Sequence, residues 1–341
     1  MIELPDFQIT ASSRTPTWQL FIDDKDVTAE LSTRIINLSL VDNRGFEADT
    51  LSLTLDDTDG AIPLPERGAK LRLALGWRGT PMINKGCYIV DTIEHSGAPD
   101  NLSLSAKSAD FRESLLERKS VSYPSQTIAE LIKTIAEKHH LQYRVSDGLA
   151  NIKLTHKIQS NESDANLLTR LAEEHDAIGT IKNDTLLFIR AGEAKSASGQ
   201  PLPAVTITRT SGDQHRYSLS EREKVTGVKA YYRDVGKKKK VWVLAGNKEK
   251  TTSLKKAFPN KDSAQTAADA ELKRLQRGVA TFSIRLAFAM PHLFPETPIR
   301  AQGFKPKIDH TDWIITKATH ELGDSGFITG IECERRQKKV L

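Results

Sequence analysis

Acidic residues crowd the segment Asp56-Asp57-Thr58-Asp59-Gly60, and closely spaced carboxylates are side chains that can hold a calcium ion. A calcium loop of the EF-hand type needs carboxylates at alternate positions, a glycine at the sharp turn and a later bidentate glutamate. Asp57, Asp59 and Gly60 meet that pattern loosely, with Glu66 as the final ligand. The same residues describe an aspartate-rich β-turn held by Asx hydrogen bonds, and this second interpretation is favoured. We therefore predict no metal site here.

The histidines and paired glutamates give no catalytic pattern. Zinc catalysis requires spacing such as HExxH, which His139-His140, His156 and His175 do not have. Adjacent histidines at the end of a helix are compatible with its dipole. The sequence also lacks GxSxG, GxGxxG and P-loop motifs, and Glu173-Glu174 shows no reason to act as a glycosidase pair. We expect a protein that is not an enzyme, with no catalytic residue and no cofactor.

Positive charge is concentrated in residues 224–261, which contain twelve Lys and Arg against two acids, while the whole chain carries +5. Its centre is a basic hairpin of Lys237, Lys238, Lys239 and Lys240. A nucleic-acid site here would bind phosphates in a salt-dependent way, and Tyr231, Tyr232 and Trp242 could stack on bases. A solvated hairpin tip explains the same residues, because repelling lysines cannot be buried together, and we favour it. Nucleic acid is thus not the expected partner.

Length and composition limit the architecture. A chain of 341 residues suits two or three domains. No apolar run approaches the ~18 residues of a membrane span. The start at Met1 lacks the basic and apolar regions of a secretory signal, so we expect neither secretion nor membrane insertion. Cys87 and Cys333 lie in strand-like patterns without CxxC spacing. A reduced pair is expected, and one disulfide between them is the alternative.

Alternating apolar residues indicate β-strands at both ends of the chain. The first half has them around Leu20, Leu38, Leu53, Leu73 and Leu104, separated by Gly, Pro and Asp turns. Residues 1–108 are therefore predicted to form an antiparallel β-barrel domain. Similar patterns in residues 201–341 predict a second β-barrel domain, which includes the basic hairpin and a helix within residues 224–277.

A helical period interrupts these strands between residues 109 and 200. Thr127 and Glu130 form a predicted capping box, followed by apolar residues at helical spacing. A second helix is expected to begin near Ser163 or Asp164, and a third at Asp262 or Ser263, the latter ending at Gly278. The fold class is thus mainly β, with two similar antiparallel β-barrels flanking a small α+β domain.

The two β-rich ends resemble each other. Tyr88 to His95 and Trp313 to His320 both place an aromatic residue seven positions before a histidine, and in both the next strand opens seven residues later, at Leu102 and Phe327. Accidental likeness between two hairpins is the alternative. A duplication is favoured, and three copies of such a chain would present six similar units around an axis.

Several segments in the same order resemble late control protein D of P2-like phages. They include Asp42-Asn43-Arg44-Gly45-Phe46-Glu47-Ala48-Asp49, Ser108-Ala109-Asp110-Phe111-Arg112, Glu162 to Glu173, Lys273 to Gly278, and Glu296 through Trp313 to Lys317. The resemblance covers nearly the whole chain and contains no catalytic motif. Residues 233–261 do not align with it.

The resemblance implies a contractile-tail baseplate hub, similar to the base of type VI secretion spikes. Such a protein is a homotrimer whose partners are the hexameric tail tube protein and the trimeric tail spike protein, with tape-measure protein or other baseplate proteins as further contacts. It is expected in the host cytoplasm during assembly and then in the virion tail baseplate. Predicted interface residues are Asp42, Arg44, Phe46, Asp49, Trp313 and His320.

Two other functions stay open at this point. One is a tail-associated cell-wall hydrolase, whose catalytic acid would lie in residues 109–200, with Glu173 as the residue to test. The other is a DNA-binding regulator acting through the lysine-rich segment. Contact of that segment with an acidic tail surface, or with DNA or tape-measure protein in the lumen, is a third role for it.

Overall fold

The structure is a computed structural model, and it describes residues 15–109, 113–182, 184–196, 199–220, 225–234, 236 and 239–336. The first group of elements lies in residues 16–108. Its strands are β1 (Pro16–Ile22), β2 (Lys25–Asp26), β3 (Ile35–Asn43), β4 (Thr50–Asp56), β5 (Lys70–Trp77), β6 (Ile83–Ser96) and β7 (Asn101–Ser108), with the short helix α1 (Thr28–Leu31).

The middle group mixes helices with short strands, as predicted. Its helices are α2 (Ile128–Lys138), α3 (Asp147–Ala150) and α4 (Asp164–Glu174). Its strands are β8 (Arg118–Tyr123), β9 (Gln126–Thr127), β10 (Gln142–Val145), β11 (Lys153–Leu154), β12 (Lys157–Ser163), β13 (Ala177–Lys182) and β14 (Thr185–Arg190). The predicted capping box is present at the start of α2, and Ser163 caps α4.

The last group returns to strands. These are β15 (Val205–Thr208), β16 (Gly212–Leu219), β17 (Gly227–Asp234), β18 (Lys239–Gly246), β19 (Thr251–Phe258), β20 (Ala280–Leu286), β21 (Pro298–Gln302), β22 (Asp312–Gly323) and β23 (Gly326–Arg335). Two helices accompany them, α5 (Lys261–Arg277) and α6 (Pro306–Asp309). The predicted start of α5, at Asp262 or Ser263, was two or three residues late, because the side chain of Asn260 caps the helix by accepting from the Ser263 amide.

One 13-stranded sheet contains strands from both ends of the chain. Its order is β16-β20-β23-β22-β3-β4-β7-β6-β5-β1-β2, with β21 on β22 and β15 on β21. The prediction of two separate tube-like barrels is not confirmed. The described strands close no barrel within the single chain, because β22 pairs directly with β3 and merges both halves into one sheet.

The duplication predicted from the sequence has a structural counterpart. Six strands of each half follow the same order, β1-β5-β6-β7-β4-β3 in the first and β15-β21-β22-β23-β20-β16 in the second. Both long hairpins shift register at the same place, between Val90 and Thr92 and between Ile315 and Lys317. The halves differ in that β1 is antiparallel to β5, whereas β15 is parallel to β21.

The pairing also corrects one detail of the sequence alignment. His95 lies opposite Leu102, whereas His320 lies opposite Thr329. Leu102 is therefore equivalent to Thr329 and not to Phe327, because β22 and β23 continue further towards their turn.

Four apolar cores stabilise these elements. The two largest in the sheet lie on the same face of each half, one built around Leu38, Leu53 and Leu73 and the other around Phe282 and Trp313. A third core fills the middle group between α2, α4 and β14, and a fourth packs α5 on β17, β18 and β19. The domain boundaries at residues 108 and 200 stay a prediction. Among the described residues, no helix is long and apolar enough to cross a membrane.

Candidate functional site

The joint between the two halves is made by β22, which changes partner along its length. Residues 312–314 pair with β21, and after the bulge residues 317–323 pair with β3, from Lys317 opposite Asn43 to Gly323 opposite Asn37. The other edge of β22 pairs with β23 throughout. A bulge bends a strand and increases its twist, which allows this change of partner.

Strand β6 is the equivalent of β22, but it is not covered in the same way. Its residues 83–89 pair with β5, and after the bulge Thr92 to Ser96 pair with β7. No described strand pairs with the outer edge of β6 beyond the bulge. The equivalent part of β22 is the part that pairs with β3.

The opposite end of the sheet is open as well. Strand β16 is the equivalent of β3, and it pairs on one side with β20. Its other edge pairs with no strand in the described part of the chain. Leu219 at the end of β16 is 44% exposed. Among the described strands, the joint between β22 and β3 is therefore filled. The β6 edge, which is equivalent to that of β22, and the β16 edge, which is equivalent to that of β3, are both open.

Burial distinguishes the filled joint from the open edge. His320 and Ala318 on β22 are fully buried. His95, which is equivalent to His320, keeps 40% of its side-chain exposure and contacts the Asp57 carboxylate at 3.2 Å. The open edges thus expose residues whose counterparts lie in the interior.

Polar residues that were predicted as interface positions meet inside the chain near this joint. Lys182 of β13 contacts Asp42 at 2.8 Å and also pairs with Asp49. Burial opposes the charge on Lys182, yet the two aspartates together raise its pKa. These contacts fasten the middle group of elements onto β3. As interface residues between subunits, Asp42 and Asp49 stay a prediction.

A buried lysine that the sequence did not single out completes the joint. Lys85 of β6 donates to His320 Nε2 at 3.1 Å and to the Pro291 carbonyl at 3.1 Å. The other ring nitrogen of His320 lies 2.9 Å from the Thr329 hydroxyl. Burial and the neighbouring Lys85 charge hold the pKa of His320 well below its usual range. His320 therefore stays neutral in the folded protein and accepts a hydrogen bond from the lysine.

Arg44 also points inward, into a network of ion pairs. Its Nε donates to Glu296 at 2.7 Å and its Nη1 to Glu334 at 2.5 Å. Arg277 at the end of α5 contacts both Glu334, at 3.2 Å, and Asp176, at 2.5 Å. This network connects β3, β23, α5 and the loop before β21. Sequence reasoning missed Arg277, because its partner acids are distant in the chain.

The two aromatic candidates are packing residues within the chain. The ring of Phe46 lies against Gly179, where an added Cβ would sit 2.3 Å from a ring carbon. Trp313 is fully buried, and its indole N–H donates to the Ile308 carbonyl at 3.0 Å. Any role of these two residues between subunits stays a prediction.

The aspartate-rich segment forms a hydrogen-bonded turn. Asp56 accepts from the Thr58 amide at 2.9 Å, and Asp57 accepts from the Ile62 amide at 2.9 Å. Asp59 pairs with Arg34 at 2.6 Å, and hydrogen bonding from this guanidinium lowers the pKa of Asp59 to about 2. Within the described residues, no group of three or more His, Cys, Asp or Glu side chains could hold a metal ion.

Of the basic hairpin, Lys239 and Lys240 belong to β18, whereas Lys237 and Lys238 lie outside the described residues. Lys240 Nζ lies over the Tyr231 ring at 4.9 Å from its centroid, and Trp242 stands beside that ring and is 51% exposed. The fourth core binds the other face of this small sheet to α5. The aromatic side chains of Tyr231 and Trp242 thus face outward.

Two acids of the middle group, Glu174 and Asp164, are engaged in ion pairs, whereas the candidate acid Glu173 is exposed. Glu174 contacts Lys157 at 2.5 Å and Lys256 at 3.0 Å, and although burial opposes its charge, these lysines lower its pKa. Asp164 pairs with Lys119 and accepts from His139 at 2.7 Å. A carboxyl held ionised in this way is poorly suited to act as a general acid.

The fold is that of phage-type tail proteins. Matching solved structures include a 43 kDa tail protein of prophage MuSo2 from Shewanella oneidensis, with a TM-score of 0.69, 12% identity and coverage of 93% of this chain and 97% of that one. Another is an Escherichia coli component of the type VI secretion system, with a TM-score of 0.59, 13% identity and coverage of 95% and 77%. At these identities the likeness concerns the fold alone.

The family follows from closer relatives. The family model described as phage tail baseplate hub (GPD) matches residues 47–326. Probable baseplate hub proteins of Escherichia phage 186 and Escherichia phage P2 are 42% and 39% identical, each over 96% of this chain and 95% of the relative. The chain belongs to the phage tail baseplate hub (GPD) family. The predicted family resemblance is thereby confirmed.

Proposed function

We propose that the protein is a symmetry adapter: three copies form a ring that joins a hexameric tail tube to a trimeric spike. The observation that carries this proposal is the pair of equivalent six-strand units lying side by side in one sheet. Three chains then present six similar units around one axis. A hexameric partner can bind all six units, whereas a trimeric partner binds features that occur once in each chain.

The shape and polarity of the sheet support a ring. A depression of about 910 Å³ lies on the face of the sheet away from the core built around Phe282 and Trp313. Polar side chains line it, among them Arg216, Ser283, Arg285, Thr319, Glu321 and Glu332. The polar face is therefore concave and suits the wall of a water-filled lumen. The ring would assemble in the host cytoplasm and then reside in the tail baseplate.

Light scattering tests the ring directly. Across a concentration series, the purified protein is expected to give a species near three times 37.9 kDa. Mixing with tube and spike subunits should increase the share of that species, because anything that binds the ring stabilises it by mass action. A mass of one chain at every concentration, alone and in the mixture, would contradict the proposal.

We also propose that the role is structural and involves no catalysis, in keeping with the ion pairs that hold Glu174 and Asp164 in the middle group. Zymograms with bacterial cell wall are expected to show no cleared zone at any pH between 5 and 8, for the native protein and for Glu173→Gln alike. A zone given by the native protein and lost in Glu173→Gln would instead support the cell-wall hydrolase.

A further inference from the structure

We propose that the ring closes by antiparallel pairing of the open β6 edge of one chain with the open β16 edge of the next. The register is the one that β22 and β3 use inside the chain. This inference rests on the proposed ring and adds the surface and the register by which the copies meet.

The register follows from equivalent positions in the two halves. Glu94 lies opposite Ser103, and Thr319 lies opposite Gly330. Each is two residues beyond the first paired residue after its bulge, Thr92 in β6 and Lys317 in β22. Glu94 is therefore equivalent to Thr319. Within the filled joint, Thr319 faces Val41. Glu94 therefore occupies the position on β6 that would face the equivalent of Val41.

The partner position is found in the same way. Thr50 faces Val41, and its equivalent Thr281 faces Ser218. Ser218 is therefore equivalent to Val41. Because Thr319 pairs with Val41 inside the chain, Glu94 of one chain should pair with Ser218 of the next. The resulting ladder has five pairs: Thr92–Ser220, Ile93–Leu219, Glu94–Ser218, His95–Tyr217 and Ser96–Arg216.

The side chains of this ladder are complementary on both faces. On the apolar face, Ile93 would cover Leu219, which is 44% exposed in the single chain. On the polar face, Arg216 lies diagonal to Glu94, within reach of a long side chain of opposite charge. Cross-strand pairs of both kinds stabilise antiparallel strands.

A further detail agrees with the same register. Ser220 Oγ is buried and has no hydrogen-bond partner within the described part of the chain. The ladder places it opposite Thr92, whose hydroxyl can pair with it. Pairing of β6 with another β6 about Glu94 would instead bring two like charges together, which is unfavourable. The two edges therefore suit each other better than β6 suits itself.

Disulfide trapping tests both the edge and the register. In a background of Cys87→Ser and Cys333→Ala, the pair Glu94→Cys and Ser218→Cys would stand directly opposite, about 4.5–5.5 Å apart, within the range that a disulfide spans. Glu94→Cys with Arg216→Cys would be diagonal, about 7–8 Å apart, and outside it. Glu94→Cys with Leu219→Cys is a further control, because adjacent residues of a strand point to opposite faces. Six strands separate β6 from β16 in the sheet order, so any link joins different chains.

Mild oxidation followed by a non-reducing gel is expected to give covalent dimers and trimers from the Glu94→Cys and Ser218→Cys variant, and none from the two controls. Trapping also captures brief encounters, so the result does not depend on a stable trimer in isolation. Links only in the Glu94→Cys and Arg216→Cys variant would overturn the register. A trimeric mass by light scattering, without links in any variant, would overturn the edge pairing and leave the proposed ring in place. A single-chain mass without links would contradict both proposals.

Discussion

Replacing Arg44 by alanine is expected to lower the free energy of unfolding by about 3–5 kcal/mol, the range for breaking a buried ion pair by removing one partner. Arg44 is 17% exposed in its side chain and Glu296 only 7%. Burial raises the pKa of Glu296, and the Arg44 charge counteracts this rise. Without the guanidinium, the Glu296 carboxylate would keep the Gly192 amide, at 2.9 Å, and lose its cation.

Urea unfolding at pH 7 measures the effect, and two variants make the result specific. Lys25→Ala removes an ion pair with Glu30 whose side chains are 68% and 61% exposed, and it should cost less than about 1 kcal/mol. The double variant Arg44→Ala and Glu296→Gln should recover part of the loss, because the neutral amide needs no cation. Equal midpoints for Arg44→Ala and the native protein would show that this network contributes nothing to stability.

Acidification from pH 7 to pH 5 is expected to destabilise the native protein, with His175 alone contributing about 2 kcal/mol. Burial lowers the pKa of His175 to about 4, and Lys157 and Arg190 add to this effect. Burial also lowers the pKa values of His292 and His320, with Lys85 as a further cause for both. All three shifts therefore have the same direction.

The sign follows from the protons bound in each state. An unfolded histidine takes up a proton near pH 6.5, whereas these folded histidines do so only at lower pH. The stability they contribute is complete above about pH 6.5 and is lost progressively as the pH falls below it. Unfolding free energies measured by urea at several pH values check this, and His175→Gln with His320→Gln should flatten the profile. A native profile that is flat between pH 7 and pH 5 would contradict the assignment.

Local sequence patterns predicted the elements well. Alternating leucines gave the strands of the first half, and the capping box at Thr127 and Glu130 gave the start of α2. The duplicated hairpins pointed to two equivalent halves. These features depend on neighbours within a few residues, whose periodicity and hydrogen bonding are visible in the sequence.

The arrangement of the elements was harder to predict, for a physical reason. The partner of β22 changes at one bulge, and no local pattern records that the following residues meet β3 and not a strand of their own half. The ion pairs also join residues that are far apart in the sequence, since Arg44 and Glu296 are separated by 252 positions. Residues chosen as subunit contacts, such as Asp42 and Trp313, are buried within one chain, and their role between subunits stays a prediction.

The matched bulges determine more than the path of two strands. In the proposed pairing the β6 and β16 edges differ, so each added chain leaves one edge of each kind free. Association of this head-to-tail type stops only when the rotation per chain closes the circle, and otherwise it continues as an open helical fibre. In the proposed ring, the bends at Asp91 and Thr316 would help to set that rotation. A change in the bend at one bulge would therefore alter the rotation per chain, and a ring that no longer closes would grow into a polymer.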